Sequence, residues 1–408
     1  MLELTDVSSA KRVAGVLNAY PANPAIVLGG QVSGLAVTRS LGRRGVPVAV
    51  LDPEERALAK ASRYAVASAT VPSPLDGAQP ALSWLGDLGR ALRRPAVLLP
   101  TGDEWALAVA RHGPGLGRGF VAPAAGSDVV DSILNKARLY AAALDVGMPV
   151  PRFAIINPKS LKEAEDIVGY PCVVKPSEKG DFVHRFGQAA LTAESREDLL
   201  AIVDGAGDRE LLLQELLPLE DAALQTAAVY VDRDGRLAAS FGGRRLAVYP
   251  TGFGTSCLVE SRPNQRLVDR AYRLLSHMAY RGIAEVEFIW DPSSEEWALI
   301  DVNPRCWKWV GLTGFAGVDL AWMAYTDAVG AARGSCRQVP GARWASILDL
   351  AAMGSQGGNS LLTDSDYQAL LSGRGEAPIV DSVFTPDDPL PFARALESLA
   401  RPGIACRC

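Results

Sequence analysis

A short apolar run that ends in glycines, followed at once by a helix and a second apolar run, fixes the fold class of the amino-terminal part. Pro24 to Gly30 reads Pro-Ala-Ile-Val-Leu-Gly-Gly, a buried strand with a sharp exit. Ser33 to Arg44 reads as a helix, with Leu35, Val37 and Leu41 among its apolar positions. Gly45 stands where helices commonly stop. Val46 to Leu51 is a second strand, ending at Asp52. This order opens a βαβ unit. Ala96 to Leu99 and a helix from Asp103 continue it, which predicts an open α/β sheet over residues 1–125.

A Pro/Ala/Gly stretch, Ala122 to Gly126, separates that part from the next. Ser127 is placed to cap a helix through Leu134, and Lys136 to Asp145 forms another. Phe153 to Ile156, Pro171 to Lys175 and Leu211 to Glu215 read as strands. Pro176 stops the second of these. Ser160 with Glu163 predicts a capping box, and Ser195 caps a further helix. Thr226 to Val231 and Arg236 to Leu246 form an antiparallel pair turning at Asp232-Arg233-Asp234-Gly235. A helix follows over 266–280, then strands Ile283 to Trp290 and Trp297 to Asn303, joined by Asp291-Pro292-Ser293-Ser294. Residues 334–408 are mixed, and no internal repeat is present.

Composition removes several function classes. The chain of 408 residues has a formal net charge of −5 and its arginines cluster only in pairs, which gives no footprint for nucleic acid. No apolar stretch is long enough to span a membrane. Met1 to Ala10 lacks the basic-then-apolar order of a secretory signal. The cysteines at 172, 257, 306, 336, 406 and 408 fit neither a zinc site nor a disulfide framework, so they read as reduced thiols of a cytoplasmic protein. With His112, His184 and His277 as the only histidines, a metal would need oxygen ligands. Leu28-Gly29-Gly30-Gln31-Val32-Ser33-Gly34 fails the G-x-G spacing of a dinucleotide fingerprint, and Asp52 alone does not restore it.

The residues that carry chemistry lie further on. Side chains alternate along a strand, so Glu285 and Glu287 share a face, as do Asp301 and Asn303. If pairing joins those faces, hard oxygen atoms converge and repel unless a cation separates them, which suits Mg²⁺. A solvated strand face with Asn303-Pro304 as turn formers is the plainer reading. Arg305 would sit beside such a site, placed for a phosphoryl group or an oxyanion. Lys175 ends an apolar strand before a glycine-bearing loop, Pro176 to Gly187, that can close over a phosphate. Gln214-Glu215-Leu216-Leu217-Pro218 ends a strand in an apolar connector whose backbone can read an adenine edge, with Glu220 just beyond. Taken singly, each of these also reads as an exposed lysine or an ordinary linker.

Their order adds more. Asn135-Lys136-Ala137-Arg138, Val173-Val174-Lys175-Pro176, Phe186-Gly187-Gln188-Ala189, Gln214 to Pro218, Phe241-Gly242-Gly243-Arg244, Phe253-Gly254-Thr255, Gly282 to Phe288 and Asp301-Val302-Asn303-Pro304-Arg305 follow one another. In this order the chain resembles the ATP-grasp superfamily, nearest its carboxylate–amine ligase branch with D-aspartate ligase among the relatives. The likeness covers about residues 25 to 330, and its last two stretches are the specific ones. It implies an α/β and α+β architecture: a Rossmann-like open α/β domain over 1–125, an ATP-grasp domain over 126–333 with a small lid at 151–213, an antiparallel sheet for ATP, and a substrate-shaping region at 334–408.

The same resemblance implies roles. Lys136 and Lys175 meet the ATP phosphates. Gln214, Glu215, Leu216 and Leu217 line the adenine, and Glu220 the ribose. Glu287, Asp301 and Asn303 hold Mg²⁺, with Mn²⁺ able to replace it. Arg305 and Arg244 act on the transferring phosphate. The loop Pro250 to Ser256 borders the acceptor site with Trp307 and Trp309, which with Lys308 would make flat apolar walls around one cation. Relatives usually carry Glu where this chain has Asp301, and more glycines after Lys175. The implied reaction is ADP-forming: a carboxylate takes the γ-phosphoryl group as an acyl phosphate, and an amine displaces phosphate to give an amide. A bicarbonate-using carboxylase and a non-catalytic nucleotide-binding protein are the competing readings. Expected partners are small carboxylates and amines, with no nucleic acid or membrane; the resemblance leaves a homodimer open.

Overall fold

Three sheets organise the chain in this computed structural model, which describes all residues except 1–6, 157–159, 178–185, 187–189, 208, 218–223, 333, 335, 356–360, 373–377 and 400–408. The first sheet is parallel. Its strands are β1 (Ala25–Leu28), β2 (Val48–Asp52), β3 (Ala65–Thr70), β4 (Ala96–Pro100) and β5 (Phe120–Val121), in the order β3-β2-β1-β4-β5. β1 and β2 have no exposed residue. Val27, Val48 and Val50 face one core, while Ile26, Leu28, Ala49 and Leu51 face another. Strands covered on both sides read as unbroken apolar runs, which is how β1 and β2 read in the sequence.

The second sheet is small and antiparallel: β6 (Phe153–Ile156), β7 (Cys172–Pro176), β8 (Leu191–Ala193) and β9 (Leu211–Glu215), ordered β6-β9-β7-β8. One face packs on helices Leu161–Val168 and Arg196–Ala206. Pro176 is the last paired residue of β7 rather than the residue beyond it. The capping box expected at Ser160 does not form. The Ser160 hydroxyl instead donates back to the Ile155 carbonyl at 3.3 Å. Ser195 does form a capping box, with Asp198. Ser127 lies inside its helix, where Gly126 is the cap.

The third sheet has seven strands. They are β10 (Leu224–Val231), β11 (Leu237–Tyr249), β12 (Thr255–Ser261), β13 (Gly282–Asp291), β14 (Glu296–Asn303), β15 (Arg343–Ala345) and β16 (Ile379–Asp381), ordered β14-β13-β10-β11-β12-β15-β16. Residues after 334 thus supply the last two strands of the sheet that carries the acidic hairpin. The amphipathic helix Gln265–His277 covers one face through Leu267, Ala271 and Leu274. The other face joins the first sheet in one core, where Val27 and Val50 meet Phe241, Trp309 and Trp344.

A buried ion pair ties the chain's end to its beginning. Asp388 is 1% exposed and accepts from Arg39 Nε at 2.9 Å, Ser62 Oγ at 2.7 Å and the Arg63 amide at 2.9 Å. Next to it, Asp387 takes both prongs of Arg43, which with Thr385 and Tyr64 holds its carboxyl below the ordinary range. The stability Asp387 contributes is therefore complete above the ordinary carboxylate pKa and is lost progressively as the pH falls below it toward the lowered value of the folded state. Asp388→Asn leaves Arg39 buried without its charge partner and should cost about 3–5 kcal/mol in urea denaturation; an unchanged midpoint would show that the pair does not hold the two ends together.

Candidate active site

The site is built on β13 and β14, and one inserted residue sets its geometry. Near the turn, Phe288 pairs with Leu299; beyond it, Glu287 pairs with Asp301 and Glu285 with Asn303. Ile300 is the extra residue, a β-bulge. Because side chains alternate, a straight count from the turn would pair Glu287 with Ile300 and turn Asp301 to the opposite face. The bulge brings Glu285, Glu287, Asp301 and Asn303 onto one face. Asn303 Nδ2 donates to Glu285 Oε2 at 3.0 Å and Glu287 Oε1 at 2.9 Å. The turn is pinned by Asp291, whose carboxylate accepts from the Ser293 amide and from both Ser293 and Ser294 hydroxyls.

Three basic side chains meet this face. Arg245 Nη2 lies 2.5 Å from Glu287 Oε1 and 3.7 Å from Glu285 Oε1. Lys136 forms an ion pair with Asp301. Arg305 donates from Nη2 to Asn303 Oδ1 at 3.1 Å and from Nε to Asp103 Oδ1 at 2.9 Å. Burial and the neighbouring Glu287 charge push the Glu285 carboxyl well above its ordinary value. Burial disfavours the Arg245 and Arg305 cations, but the surrounding carboxylates outweigh it and hold both pKa values above the ordinary value.

The second sheet supplies the rest. Lys175 and Gln214 are diagonal neighbours on one face of β7 and β9, and Lys175 Nζ donates to Gln214 Oε1 at 3.1 Å. The buried Tyr140 hydroxyl lies 2.8 Å from that same oxygen and 3.1 Å from the Ile300 carbonyl. It therefore links β9 to the bulge. Lys136 begins the helix Lys136–Asp145, capped by the Asn135 side chain, and its amide donates to the Ser177 carbonyl at the end of β7. Glu215 is held by Arg152 at 2.6 Å. Leu216 is half-buried, and Leu217 packs on Ile289 and Ala298. A cleft of about 380 Å³ opens between Arg152, Glu215 and Leu217 on one side and the 291–294 turn on the other. Glu220 lies outside the described residues, as do Arg185 and the glycines at 180 and 187.

Two arginines adjacent in sequence take different faces. Arg244 pairs with Glu260 at 2.8 Å, away from the acidic set, and Arg245 takes the place beside Glu287. A second bulge explains it. Val231 pairs with Leu237 but Tyr230 pairs with Ala239, so Ala238 is extra and the faces of β11 swap beyond it. Trp307 and Trp309 are 2% and 1% exposed, so their indoles belong to the core rather than to open pocket walls. A strand that ends between two packed sheets turns its aromatic residues inward. Lys308 is paired with Asp349 at 2.7 Å and Thr255 at 2.8 Å. Arg245, Tyr140 and Asp103 are the participants that sequence reading passed over. Tyr140 carried no signal, and Arg245 was visible only as the neighbour of Arg244.

The donor chemistry fits a hard divalent cation. Glu287 and Asp301 face each other, Asn303 adds an amide, and the buried Glu285 Oε1 has no hydrogen-bond partner. Among the described residues no three His, Cys, Asp or Glu side chains are grouped to hold a metal alone. Two carboxylates and an amide match Mg²⁺, which keeps waters and phosphate oxygens in its shell.

A family model described as carbamoyl-phosphate synthase L chain, ATP binding domain, matches residues 254–333. The chain is 23% identical over 246 residues to D-aspartate ligase of Enterococcus faecium, covering 57% of this chain and 58% of that protein. It is 29% identical over 188 residues to the carbamoyl phosphate synthase arginine-specific large chain of Halalkalibacterium halodurans, covering 43% of this chain and 17% of that one. The match thus spans little more than half the length of the first relative and about a sixth of the second. Among solved structures, N5-carboxyaminoimidazole synthetase from Staphylococcus aureus complexed with ADP superposes with a TM-score of 0.62 at 15% identity, over 82% of this chain and 86% of that one. A biotin carboxylase complex from Campylobacter jejuni gives 0.61 at 14% identity, over 79% and 74%. The mixed α/β architecture expected from the sequence is the one observed, and the chain shares its ATP-grasp fold with these solved structures.

Proposed function

We propose that the chain is an ATP- and Mg²⁺-dependent ligase that activates a carboxylate as an acyl phosphate and joins it to an amine. The observation that carries this reading is the link from Lys175 through Gln214 and Tyr140 to the Ile300 bulge, which sets the nucleotide-side residues against Glu287, Asp301 and Asn303. The match to an ATP-binding domain and the ligase named among the relatives support it.

In this reading the adenine lies along Gln214 to Leu217, beside the cleft at Glu215 and Leu217. Lys136 and Lys175 take the phosphates, so Lys136 exchanges its Asp301 partner for a phosphate oxygen. Glu287, Asp301 and Asn303 hold Mg²⁺, which offsets the negative charge of the phosphoryl oxygens. The substrate carboxylate attacks the γ-phosphorus, the bond to ADP breaks, and an acyl phosphate forms. The amine then attacks the acyl carbon, loses a proton and expels phosphate. Arg305 and Arg245 steady the transferring group and the oxyanion. The rate comes from positioning, and no side-chain nucleophile is required.

The test is a phosphate-release screen over pairs of amino acids with ATP and Mg²⁺, with product masses. Equal ADP, phosphate and amide are expected. AMP would overturn the acyl-phosphate route, and turnover only with bicarbonate would move the chain to the carboxylases. Asp301→Asn should lower kcat by roughly tenfold or more; intact turnover would require the metal ligands to be redrawn. Arg245→Met removes the cation beside the buried Glu285 and the half-buried Glu287 and should cost more activity than Arg244→Met, by roughly tenfold. The reverse order would give the role to Arg244.

A further inference from the structure

Arg305 is held from outside its own sheet. Its guanidinium carries five N–H groups, and three are committed. Nη2 donates to Asn303 Oδ1 at 3.1 Å, Nη1 to the Cys306 carbonyl at 3.2 Å, and Nε to Asp103 Oδ1 at 2.9 Å. The first two partners belong to Arg305's own segment. Asp103 does not: it begins the helix Asp103–His112 that leaves β4 of the parallel sheet. The two side chains are 16% and 18% exposed, so the pair is shielded from solvent but open on one side. The Cys306 amide also reaches the Pro100 carbonyl at the end of β4, at 3.4 Å. The end of β4 and the first residue of the following helix therefore clamp the segment just after the acidic hairpin.

We propose that Asp103 is a positioning residue for Arg305: the amino-terminal sheet fixes the plane of the guanidinium, so that its remaining N–H groups point at the transferring phosphoryl group. The proposal rests on the reading of Arg305 given above. A planar guanidinium pinned at Nε and at both terminal nitrogens cannot rotate about its last side-chain bond, so little order is lost when it meets a phosphate. Without Asp103, one of the three pins is gone and the charge is free to turn toward Glu285, whose field it already feels. Docking of the two sheets thereby becomes a condition for an ordered site.

An acid in the first turn of a helix also has a purely structural use, through the helix dipole. The test must separate the two. Affinities for ATP and for ADP, each with Mg²⁺, are measured by calorimetry on the full chain for wild type, Asp103→Asn, Arg305→Lys and the double variant, together with melting temperatures. Positioning predicts that Asp103→Asn lowers the ATP-over-ADP preference by about tenfold, as Arg305→Lys does, and that the double variant loses no more than Arg305→Lys alone. Asp103→Glu, which keeps the charge, should recover part of the loss. In turnover, Asp103→Asn should lower kcat with the KM for ATP nearly unchanged. If Arg305→Lys lowers the preference and Asp103→Asn changes only the melting temperature, the proposal falls while the role of Arg305 stands. Losses that multiply in the double variant would also overturn it. If Arg305→Lys has no effect, or wild type binds neither nucleotide, the reading of the site itself falls, and the proposal with it.

Discussion

One extra residue in one strand decides whether this chain has an acidic site at all. Without the bulge at Ile300, Asp301 and Asn303 would share a face with Val286, against the helix Gln265–His277, and a carboxylate would enter an apolar core. That arrangement would cost several kcal/mol, since a buried unpaired charge is among the most unfavourable things a fold can hold. With the bulge, the alternation serves both faces: Val286 and Val302 go to the core, and the four polar residues converge on the other side. The bulge also exposes the Ile300 carbonyl to the Tyr140 hydroxyl. The feature that re-aims Asp301 is thus also the point where the small sheet is tied to the large one.

The converged acids need positive charge, and the chain supplies it from three directions. Arg245 comes from β11, Lys136 from a helix start, and Arg305 from the strand exit. Like charges this close in a shielded site cannot all remain ionised without such partners. Burial and the Glu287 charge hold the Glu285 carboxyl above its ordinary value, against the pull of Arg245 and Arg305. Lys136 has the same ion-pairing capacity for a phosphate oxygen as for Asp301, so exchanging one for the other keeps it paired. This gives a physical reason for a lysine and the carboxylate proposed as a metal ligand to face each other.

Much of the fold was legible because its elements carry local signals. β1 is apolar throughout, as is β2 up to its last residue, Asp52; Asn135 and Ser195 cap their helices, and Asp291 marks the hairpin turn. Residue types at the site were legible too: Lys175, Gln214 and Asn303 sit at or next to strand ends, and Glu287 alternates with Glu285 along β13. What could not be read was phase. A bulge has no residue signature, yet each one exchanges the two faces of everything beyond it. Ala238 is an ordinary strand residue, and it alone determines whether Arg244 or Arg245 stands beside Glu287. The indoles of Trp307 and Trp309 were misread for a related reason: their burial depends on β1 and β2, far earlier in the chain, which no local pattern encodes.

That long-range dependence extends to the chemistry. Gly243 is opposite Thr226 on the site face, and a Cβ there would lie 2.8 Å from Trp309 Cη2 and 3.1 Å from Thr226 Oγ1. The glycine therefore lets the Trp309 ring approach the sheet closely, two residues from Arg245. Trp309 in turn fills the core that the large sheet shares with β1 and β2. Any shift of the parallel sheet would press on Trp309, and through it on the strand that carries Arg245, while the same sheet holds Arg305 through Asp103. One of the three cations at the site thus bonds directly to the helix that follows β4, and a second lies two residues along β11 from the glycine that Trp309 packs on; close-packed interiors transmit displacement rather than absorb it. An amino-terminal domain that supplied only a wall for substrate would not need to touch the site's charges; this one is packed against the residues that carry them.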